Sequence, residues 1–556
     1  MPIYRSDQTQ LSFSAEAGLG GYMDFIITAT TAGWTGGLIN MFPGGLVAGS
    51  RSVIFDGVSG GTLSVGDYVS IGTPNTAHSE IRRISSLGTY TGGGAGTVFF
   101  DYPTGFFHAD NDPIVEATVS TAPTGQSFAT FFPGVWETIN VPDLIPEIIP
   151  IYMGSTTALR NWSIAYRGKQ SFPGSLPGLI LLNGFPLRFP FGRIDTIGTP
   201  SSITTINQDI LVGQRTLSMV ANAAYTNGNL IQVGSGNTHE VRQIISGGVG
   251  TILTVNYPFL IPQTSGAALS IQVSPFTHTI LERNDLDTMT WHLLHRDSGE
   301  TTANDFITRY IGGKVNRATI SADEGETVRF SIDDIQFIDL VHNQQNSSGV
   351  TGDIAKFSGS LISPSGVGGS MIHSGGALAP TSHPTTPPYY FSQGTISLFG
   401  ITFGVIRNFR IEINNNLDAR YYLRDTAGDR TPSAFIEQRR EYKIFATVTM
   451  PDSITSTATT RTLFKELVLE GTYNTIFTTT NASIGFNISL TFTRGTNDTI
   501  VITSPVGGAA SAGIGTQGCF FLRASHDIGE NPIQVDGEIL IRNMSIVITD
   551  SIGVYP

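Results

Sequence analysis

Apolar and polar residues alternate along residues 306–339. Val328, Phe330 and Ile332 are each separated by one polar residue, which is the period expected for a β-strand with one buried and one wetted face. Residues 315–320 form a second run, and the polar residues between the runs include Gly325, which can adopt a positive φ angle. The pattern therefore predicts a β-hairpin.

Alternation is also strong in the last part of the chain. Residues 484–492 carry an apolar side chain at every second position and predict the clearest strand. In contrast, Leu463, Phe464 and Leu467 have helical spacing, and Gly471 follows as a stop signal. Residues 459–470 are therefore the best helix candidate in a chain otherwise predicted to consist of strands.

Two blocks of the chain, residues 34–119 and 199–275, contain the same pattern. Each has short apolar runs separated by glycine turns, as in a small β-barrel or sandwich. Because the order and spacing of the matches agree, we interpret the blocks as an internal repeat, that is, two homologous small β-domains. The matching segments are 49–52 with 213–216, 66–72 with 228–234, 78–84 with 238–244, and 101–103 with 256–258.

Composition supports an all-β fold with few short helices. The chain has 556 residues, which is too long for one ordinary core, and its 64 glycines and 28 prolines interrupt it too often for long helices. Its apolar runs are too short to span a membrane, so we expect no membrane association. The first residues lack the basic and apolar regions of a secretory signal.

The charge balance is acidic. The chain has 31 Lys and Arg against 44 Asp and Glu, a net charge of −13. This argues against a nucleic-acid-binding protein, because sequence-independent affinity for DNA comes from cations that neutralise phosphates. It is compatible with a surface along which DNA passes, because a negative wall repels phosphate. A single cysteine, Cys519, excludes an intrachain disulfide.

No sequence motif predicts an enzyme, so we assign no catalytic, cofactor-binding or metal-binding residues. Residues 57–61 match the letters of a nucleophile elbow, but turn and strand signals follow instead of a helix. His292 and His295 would point to opposite faces of a strand. Asp110 and Asp112 lack the glycine and glutamate of a calcium loop.

Acidic residues cluster at the predicted hairpin. Two interpretations stay open: a solvated hairpin face, or the lining of a channel in which like charge keeps passing DNA mobile. The candidate residues for a lumen or for a contact between rings are Asp323, Glu324, Gly325, Glu326, Arg329 and Asp333, and Asp334 adds a further carboxylate.

The hairpin resembles the inner hairpin of major tail tube proteins of long-tailed (siphovirus-like) bacteriophages. It has an aromatic-Gly-Gly-Lys-Val entry, a turn with acidic residues and glycine, and an alternating strand. The residues that carry the resemblance are Tyr310, Gly312, Gly313, Lys314, Val315, Thr319, Ile320, Glu324, Gly325, Glu326, Val328 and Ile332.

The resemblance extends over much of the chain and implies two fused tube-like β-sandwich or barrel domains. Residues 1–33, 120–198 and 276–342 would form the first, discontinuous domain, and residues 387–556 the second. The repeats at 34–119 and 199–275 would be insertions into the first domain. Residues 343–386 are rich in Ser, Gly, Pro and Thr and predict a linker or exposed loop.

The resemblance implies a structural virion protein of the phage tail, synthesised in the host cytoplasm. Copies would form rings, preferably trimers with pseudo-sixfold symmetry instead of hexamers, and the rings would stack into a hollow tube for genome ejection. Expected partners are a tape-measure protein, a tail terminator, tail-tip proteins and double-stranded DNA that passes without specific binding. No cofactor is expected.

Two other functions remain open at this stage. A tail-tip or surface adhesin built from β-modules would bind a host receptor or carbohydrate through its loops. A glycoside hydrolase would require two carboxylates facing each other in a cleft, and the sequence alone places no such pair.

Overall fold

The fold, taken from a computed structural model, is all-β, as the sequence predicted. Among the described residues, the strands are accompanied by the single-turn 3-10 helices Phe185–Arg188 and Phe391–Gln393. The structure describes residues 4–15, 27–28, 37–39, 45–47, 50, 52–56, 63–65, 67–72, 80–91, 94–100, 104, 107–119, 138, 140, 142, 145–152, 164–210, 216–220, 223–235, 238–247, 252–255, 259, 261–297, 306–342, 387–398, 401–403, 406–421, 431–449, 485–508, 517–527 and 534–553.

The strands of the first half of the chain include both predicted repeats. They are β1 Tyr4–Ala15, β2 Ile27–Thr28, β3 Gly37–Leu38, β4 Ser52–Phe55, β5 Tyr68–Ile71, β6 Glu80–Leu87, β7 Gly96–Phe100, β8 Pro113–Val119, β9 Ile145–Ile151, β10 Ile164–Ile180, β11 Gly192–Thr205, β12 Thr216–Ser218, β13 Leu230–Val233, β14 Glu240–Ser246, β15 Ile252–Val255 and β16 Ala268–Glu282.

The strands of the second half begin just before the predicted hairpin. They are β17 Met289–Asp297, β18 Phe306–Asp323, β19 Arg329–Phe337, β20 Asp339–His342, β21 Gly394–Leu398, β22 Ile401–Phe403, β23 Ile406–Asn414, β24 Asp418–Arg420, β25 Ala434–Ile436, β26 Glu441–Thr449, β27 Ile488–Gly495, β28 Asp498–Ser504, β29 Phe520–Asp527, β30 Gln534–Ile541 and β31 Ser545–Asp550.

The predicted hairpin is confirmed as β18 and β19. These strands pair antiparallel, with Ile320 opposite Phe330 on the buried face. Gly325 has a φ of +82° in the turn, as its position predicted. The first strand is longer than the pattern indicated, because β18 already begins at Phe306.

Strand β18 changes its partner strands at a glycine pair. Its first part pairs with β17 and β20, and its second part pairs with β19 and β23. Gly312 has a φ of +67° where the partners change. A Cβ on Gly313 would lie 2.5 Å from the Phe337 ring, so the close packing of β18 against Phe337 requires glycine there.

Two antiparallel sheets enclose the principal core. The first, here called the main sheet, has the order β29-β30-β26-β23-β18-β19-β10-β9, and the second contains β16-β31-β28-β27-β21. One hydrophobic cluster lies between them, with Leu176, Phe330, Ile411, Ile500 and Ile546 among its members. This is the layered packing expected when each sheet has one apolar face.

The predicted first and second tube-like domains share this core. Strand β18 pairs with β23, and β16 pairs with β31, so segments from both predicted domains lie in the same sheets. The predicted boundary at 343–386 therefore does not separate two independent cores. Alternation along a strand gives its buried face but not the identity of its neighbour, so the sequence could not reveal this pairing.

Polar contacts reinforce the junction between the two segments. Asn415 donates from its amide to the carbonyl oxygens of Val315 (2.9 Å) and Pro190 (3.2 Å). Lys314 Nζ lies 2.5 Å from Glu437 Oε1. Since these groups are largely removed from water, their pairing satisfies polar atoms that would otherwise destabilise the junction.

The two repeats fold into small closed barrels with matching strand orders. The first has the order β8-β5-β6-β7-β4, and the second β16-β13-β14-β15-β12. In the first barrel, the Ile39 N–H donates to the carbonyl of Asp112, which directly precedes β8. Ile39 also forms a β-bridge with Phe55 of β4, so it connects the first and last strands of the barrel. Ile206 closes the second barrel in the same way, and each barrel has its own hydrophobic cluster.

Some sequence predictions lie outside the described residues. These are the helix over residues 459–470 and the linker over residues 343–386. Within the described part of the chain, no helix is long and apolar enough to cross a membrane.

Glu437→Gln is expected to lower the free energy of unfolding by about 3 kcal/mol at neutral pH, because it leaves the Lys314 ammonium without its carboxylate. Burial opposes ionisation of Glu437, but hydrogen bonds from Lys314 and the Leu286 N–H and the Lys314 charge hold its pKa below the ordinary value. The contribution is therefore present above the ordinary glutamate pKa and is lost as the pH falls through the folded-state pKa. Urea unfolding at neutral and acidic pH measures both effects.

The matched control is Glu324→Gln. Glu324 is exposed and its carboxylate lies 3.4 Å from the Arg407 guanidinium, so its loss should cost less than about 1 kcal/mol. An equal effect of both substitutions, or an effect of Glu437→Gln that persists unchanged in acid, would contradict the assignment.

Candidate assembly surface

The main sheet consists of two four-stranded units with the same strand order. The first unit is β9-β10-β19-β18, and the second is β23-β26-β30-β29. If the four strands of each unit are numbered along the chain, their order across the sheet is first, second, fourth, third. The third strand of the first unit, β18, pairs with the first strand of the second unit, β23, over Arg317 to Asp323. The main sheet is therefore a tandem of one topology, joined by an internal seam.

The main sheet ends at β9 and β29. Among the described strands, β9 pairs only with β10, and β29 pairs only with β30. Each outer strand therefore presents one unpaired backbone edge, which is an association site unless something covers it.

The β9 edge is apolar. Its isoleucines are unusually exposed for their type, and Tyr152 follows them at 67% exposure. Contiguous exposed apolar side chains of this kind mark an interaction surface. The exposed fractions are 51% for Ile145, 53% for Ile148, 45% for Ile149 and 41% for Ile151.

Two prolines lie in β9. Pro146 and Pro150 have no N–H group to donate, and proline in a sheet is restricted to edge positions. A partner strand at this edge would therefore be held by the isoleucine side chains as well as by backbone hydrogen bonds. On the opposite edge, Leu522 of β29 is 51% exposed and offers an apolar counterpart.

The face of the main sheet opposite the core, here called the wetted face, carries rows of polar and charged residues across the strands. One row crosses five strand pairs and contains three arginines. It consists of Arg329, Ser321, Arg410, Phe445, Glu538 and Arg523. The adjacent row consists of Ser331, Thr319, Glu412, Lys443, Leu540 and Phe520.

Two cations in these rows are paired with carboxylates. Arg410 Nη2 lies 2.8 Å from Glu412 Oε1, and Lys443 Nζ donates to Glu538 Oε1 at 2.8 Å. The hydrogen bond and charge of Glu538 raise the pKa of Lys443. Arg410 also packs over the Phe445 ring at 4.7 Å. The wetted face therefore presents ion pairs instead of a field of one sign.

Asp333 lies beside the internal seam. Partial removal of water raises the pKa of its carboxyl, while the Thr319 hydroxyl, which donates to it at 2.5 Å, and the Arg317 charge oppose the shift. Arg410 also acts on Asp333, although it lies on β23. The electrostatic environment of the hairpin is thus set partly by the second four-stranded unit.

The turn residues predicted as candidates are all at the surface. Asp323, Glu324, Gly325 and Glu326 are exposed at one end of the main sheet. Arg329 lies on β19, and its guanidinium is 3.8 Å from the Glu326 carboxylate.

The acidic hairpin is less negative than its sequence indicates. Arg407, at the start of β23, places its guanidinium 3.4 Å from the Glu324 carboxylate, and its carbonyl oxygen accepts a hydrogen bond from the Glu324 N–H. Counting charges along the hairpin alone omits Arg407 and Arg410, which the fold brings to the cluster from β23. Arg317 of β18 adds a third positive charge. The hairpin therefore does not present like charges alone.

A groove of about 460 Å³ opens on the wetted face at this end of the sheet. Its lining includes two carboxylates, Asp323 and Asp536, beside the small residues Ala446 and Gly537. Across the described residues, no group of three or more His, Cys, Asp or Glu side chains is arranged to hold a metal ion.

The apolar β9 edge and the ion pairs of the wetted face were not predicted from the sequence. The apolar run Ile145–Ile151 with two prolines could have indicated an edge strand. No local signal indicated that Glu412 and Glu538 would each meet a cation on the same face, since that depends on strand register.

Comparison with known proteins assigns no family. No protein-family model matches the chain, and no curated protein matches its sequence.

Thr319→Val is expected to lower the free energy of unfolding by about 1 kcal/mol at neutral pH, because Asp333 loses a hydrogen-bond donor to its ionised carboxylate. The hydroxyl favours the charged form, so the loss should shrink once the pH falls below the Asp333 pKa. Urea unfolding at neutral and acidic pH tests this. Thr204→Val is the control, because its hydroxyl donates to an uncharged carbonyl, Val220 O, and its effect should not depend on pH.

Proposed function

We propose that the chain is a structural virion protein that assembles into the tail tube of a long-tailed bacteriophage. The observation that carries this proposal is the tandem of two four-stranded units with open edges at β9 and β29. The resemblance of residues 306–339 to the inner hairpin of tail tube proteins supports it, since this hairpin lies at the centre of the tandem.

The internal seam provides a template for the contact between copies. Within one chain, the third strand of the first unit pairs with the first strand of the second unit. Repetition of this step joins β29 of one copy to β9 of the next. Three chains then supply six units, and a closed ring of pseudo-sixfold symmetry leaves no edge unpaired.

Side-chain chemistry at the β9 edge favours such a contact. Its exposed isoleucines would be covered by the next copy, and covering about half of an isoleucine stabilises by about 1 kcal/mol. Copies of one chain meeting through two different surfaces form a heterologous contact, which closes into a ring at a suitable rotation.

In this proposal the rings stack head to tail into a hollow tube, and the wetted face lines the lumen because the other face of the main sheet is covered by the core. Double-stranded DNA passes through without specific binding. Tape-measure, terminator and tail-tip proteins are the partners that such a tube requires for its length and its ends. The two small barrels would lie outside the lumen.

Electron microscopy of the purified protein tests the proposal. We expect stacked rings or hollow tubes with threefold or pseudo-sixfold end views, and a mass in solution that rises with concentration. Dispersed monomers at high concentration would overturn it, and isolated trimeric knobs would favour the adhesin.

Ile149→Lys is expected to raise the concentration needed for assembly more than about tenfold, because the contact between β9 and the next copy would bury an unpaired charge. Light scattering and electron microscopy measure the change. The matched control is Ile203→Lys on β11, since Ile203 is 71% exposed and lies outside the main sheet. Equal assembly of both variants would show that β9 is not at the contact.

A further inference from the structure

The wetted face carries cations although the proposed function requires that DNA does not adhere to it. Arg410 and Lys443 occupy adjacent rows of this face and are about half and one-third exposed. Free cations at such positions would bind phosphates and release counterions from DNA. Something on the face must therefore limit their availability.

Each of these cations has a carboxylate beside it. Arg410 is 2.8 Å from Glu412, and Lys443 is 2.8 Å from Glu538. Glu412 and Glu441 also act on the Lys443 ammonium. The geometry thus places a negative group within contact distance of both cations.

We propose that Glu412 and Glu538 mask Arg410 and Lys443 from phosphate and so make the wetted face non-adhesive to double-stranded DNA. The inference rests on the proposed function for its biological meaning, but the masking itself is a property of the single chain. It assigns these carboxylates a role in excluding polyanions.

Stability alone does not account for the pairs. Ion pairs between exposed side chains contribute little, about 0–1 kcal/mol. Their effect on a passing polyanion is larger, because a phosphate must displace a carboxylate that the backbone holds beside the cation. A tethered group competes at a high effective concentration.

The stacking of Arg410 on Phe445 makes this masking more important. The ring, 4.7 Å away, holds the guanidinium over the wetted face, so the arginine cannot easily fold away from a ligand. An arginine held in this way is preorganised for phosphate, and the Glu412 carboxylate, 2.8 Å away, is the group in direct contact that opposes this.

The test compares DNA binding by the full-length protein and a Glu412→Gln, Glu538→Gln double variant. The probe is a fluorescent 30-base-pair duplex (a length of about 100 Å), followed by anisotropy. We expect no binding by the unsubstituted protein and measurable binding by the variant. Because the two unmasked cations of each chain would neutralise two phosphates, affinity should fall about tenfold between about 50 and about 200 mM salt.

The matched control is Asp110→Asn with Asp285→Asn. Both residues are exposed and lie outside the main sheet. Each double variant replaces two carboxylates by amides, so the control and the test variant have the same net charge. Equal DNA binding by the two double variants would overturn the proposal, as would binding by the unsubstituted protein or none by the test variant.

Electron microscopy of the same samples separates this inference from the proposed function. If the variant forms rings and tubes but does not gain DNA binding, the masking role is overturned and the proposed tube assembly is retained. A gain in DNA binding by a protein that never assembles would support masking on the sheet and overturn the tube.

Discussion

The backbone of a β-strand has two hydrogen-bonding edges, and an open sheet within one chain ends with two of them unpaired. In this molecule the constraint falls on β9 and β29. The opposite solution is present in the same chain, where each small barrel closes on itself through one residue, Ile39 or Ile206. The chain therefore closes its accessory sheets and leaves the central one open.

Side-chain contacts stabilise the internal seam of the main sheet. Backbone pairing between β18 and β23 is supplemented by Asn415, which donates to the carbonyl of Val315 on β18 and to that of Pro190, and by the contact of Lys314 with Glu437. Arg494 of β27, in the other sheet, donates to Leu182 O and to both oxygens of Asp498, so it links the segment after β10 to the opposite side of the core. These contacts join the first and last parts of the chain within one core.

The sequence predicted the features that depend on local pattern. Alternation identified the hairpin around Gly325, because that signal lies within a few tens of residues. The repeats are visible because residues 34–119 and 199–275 contain matching segments in the same order, and their strands have matching orders in the structure. The sequence did not predict that β18 would pair with β23, since about ninety residues separate them and alternation carries no information on partners. For the same reason the sequence predicts an acidic hairpin face and does not reveal that Arg407 and Arg410 approach it from another strand.

The closed barrels have a consequence for how such a chain can change. A module with a complete belt of backbone hydrogen bonds has no edge with which to recruit a stray strand, so it can be gained, lost or exchanged without creating a competing route to aggregation. The first barrel precedes both four-stranded units in the chain, whereas the second barrel interrupts the first unit between β10 and β18. The second barrel also shares β16 with the core sheet, since β16 pairs with β31 as well as with β13. Selection can therefore alter the first barrel without touching a strand of the core, while a change in the second barrel is transmitted along β16.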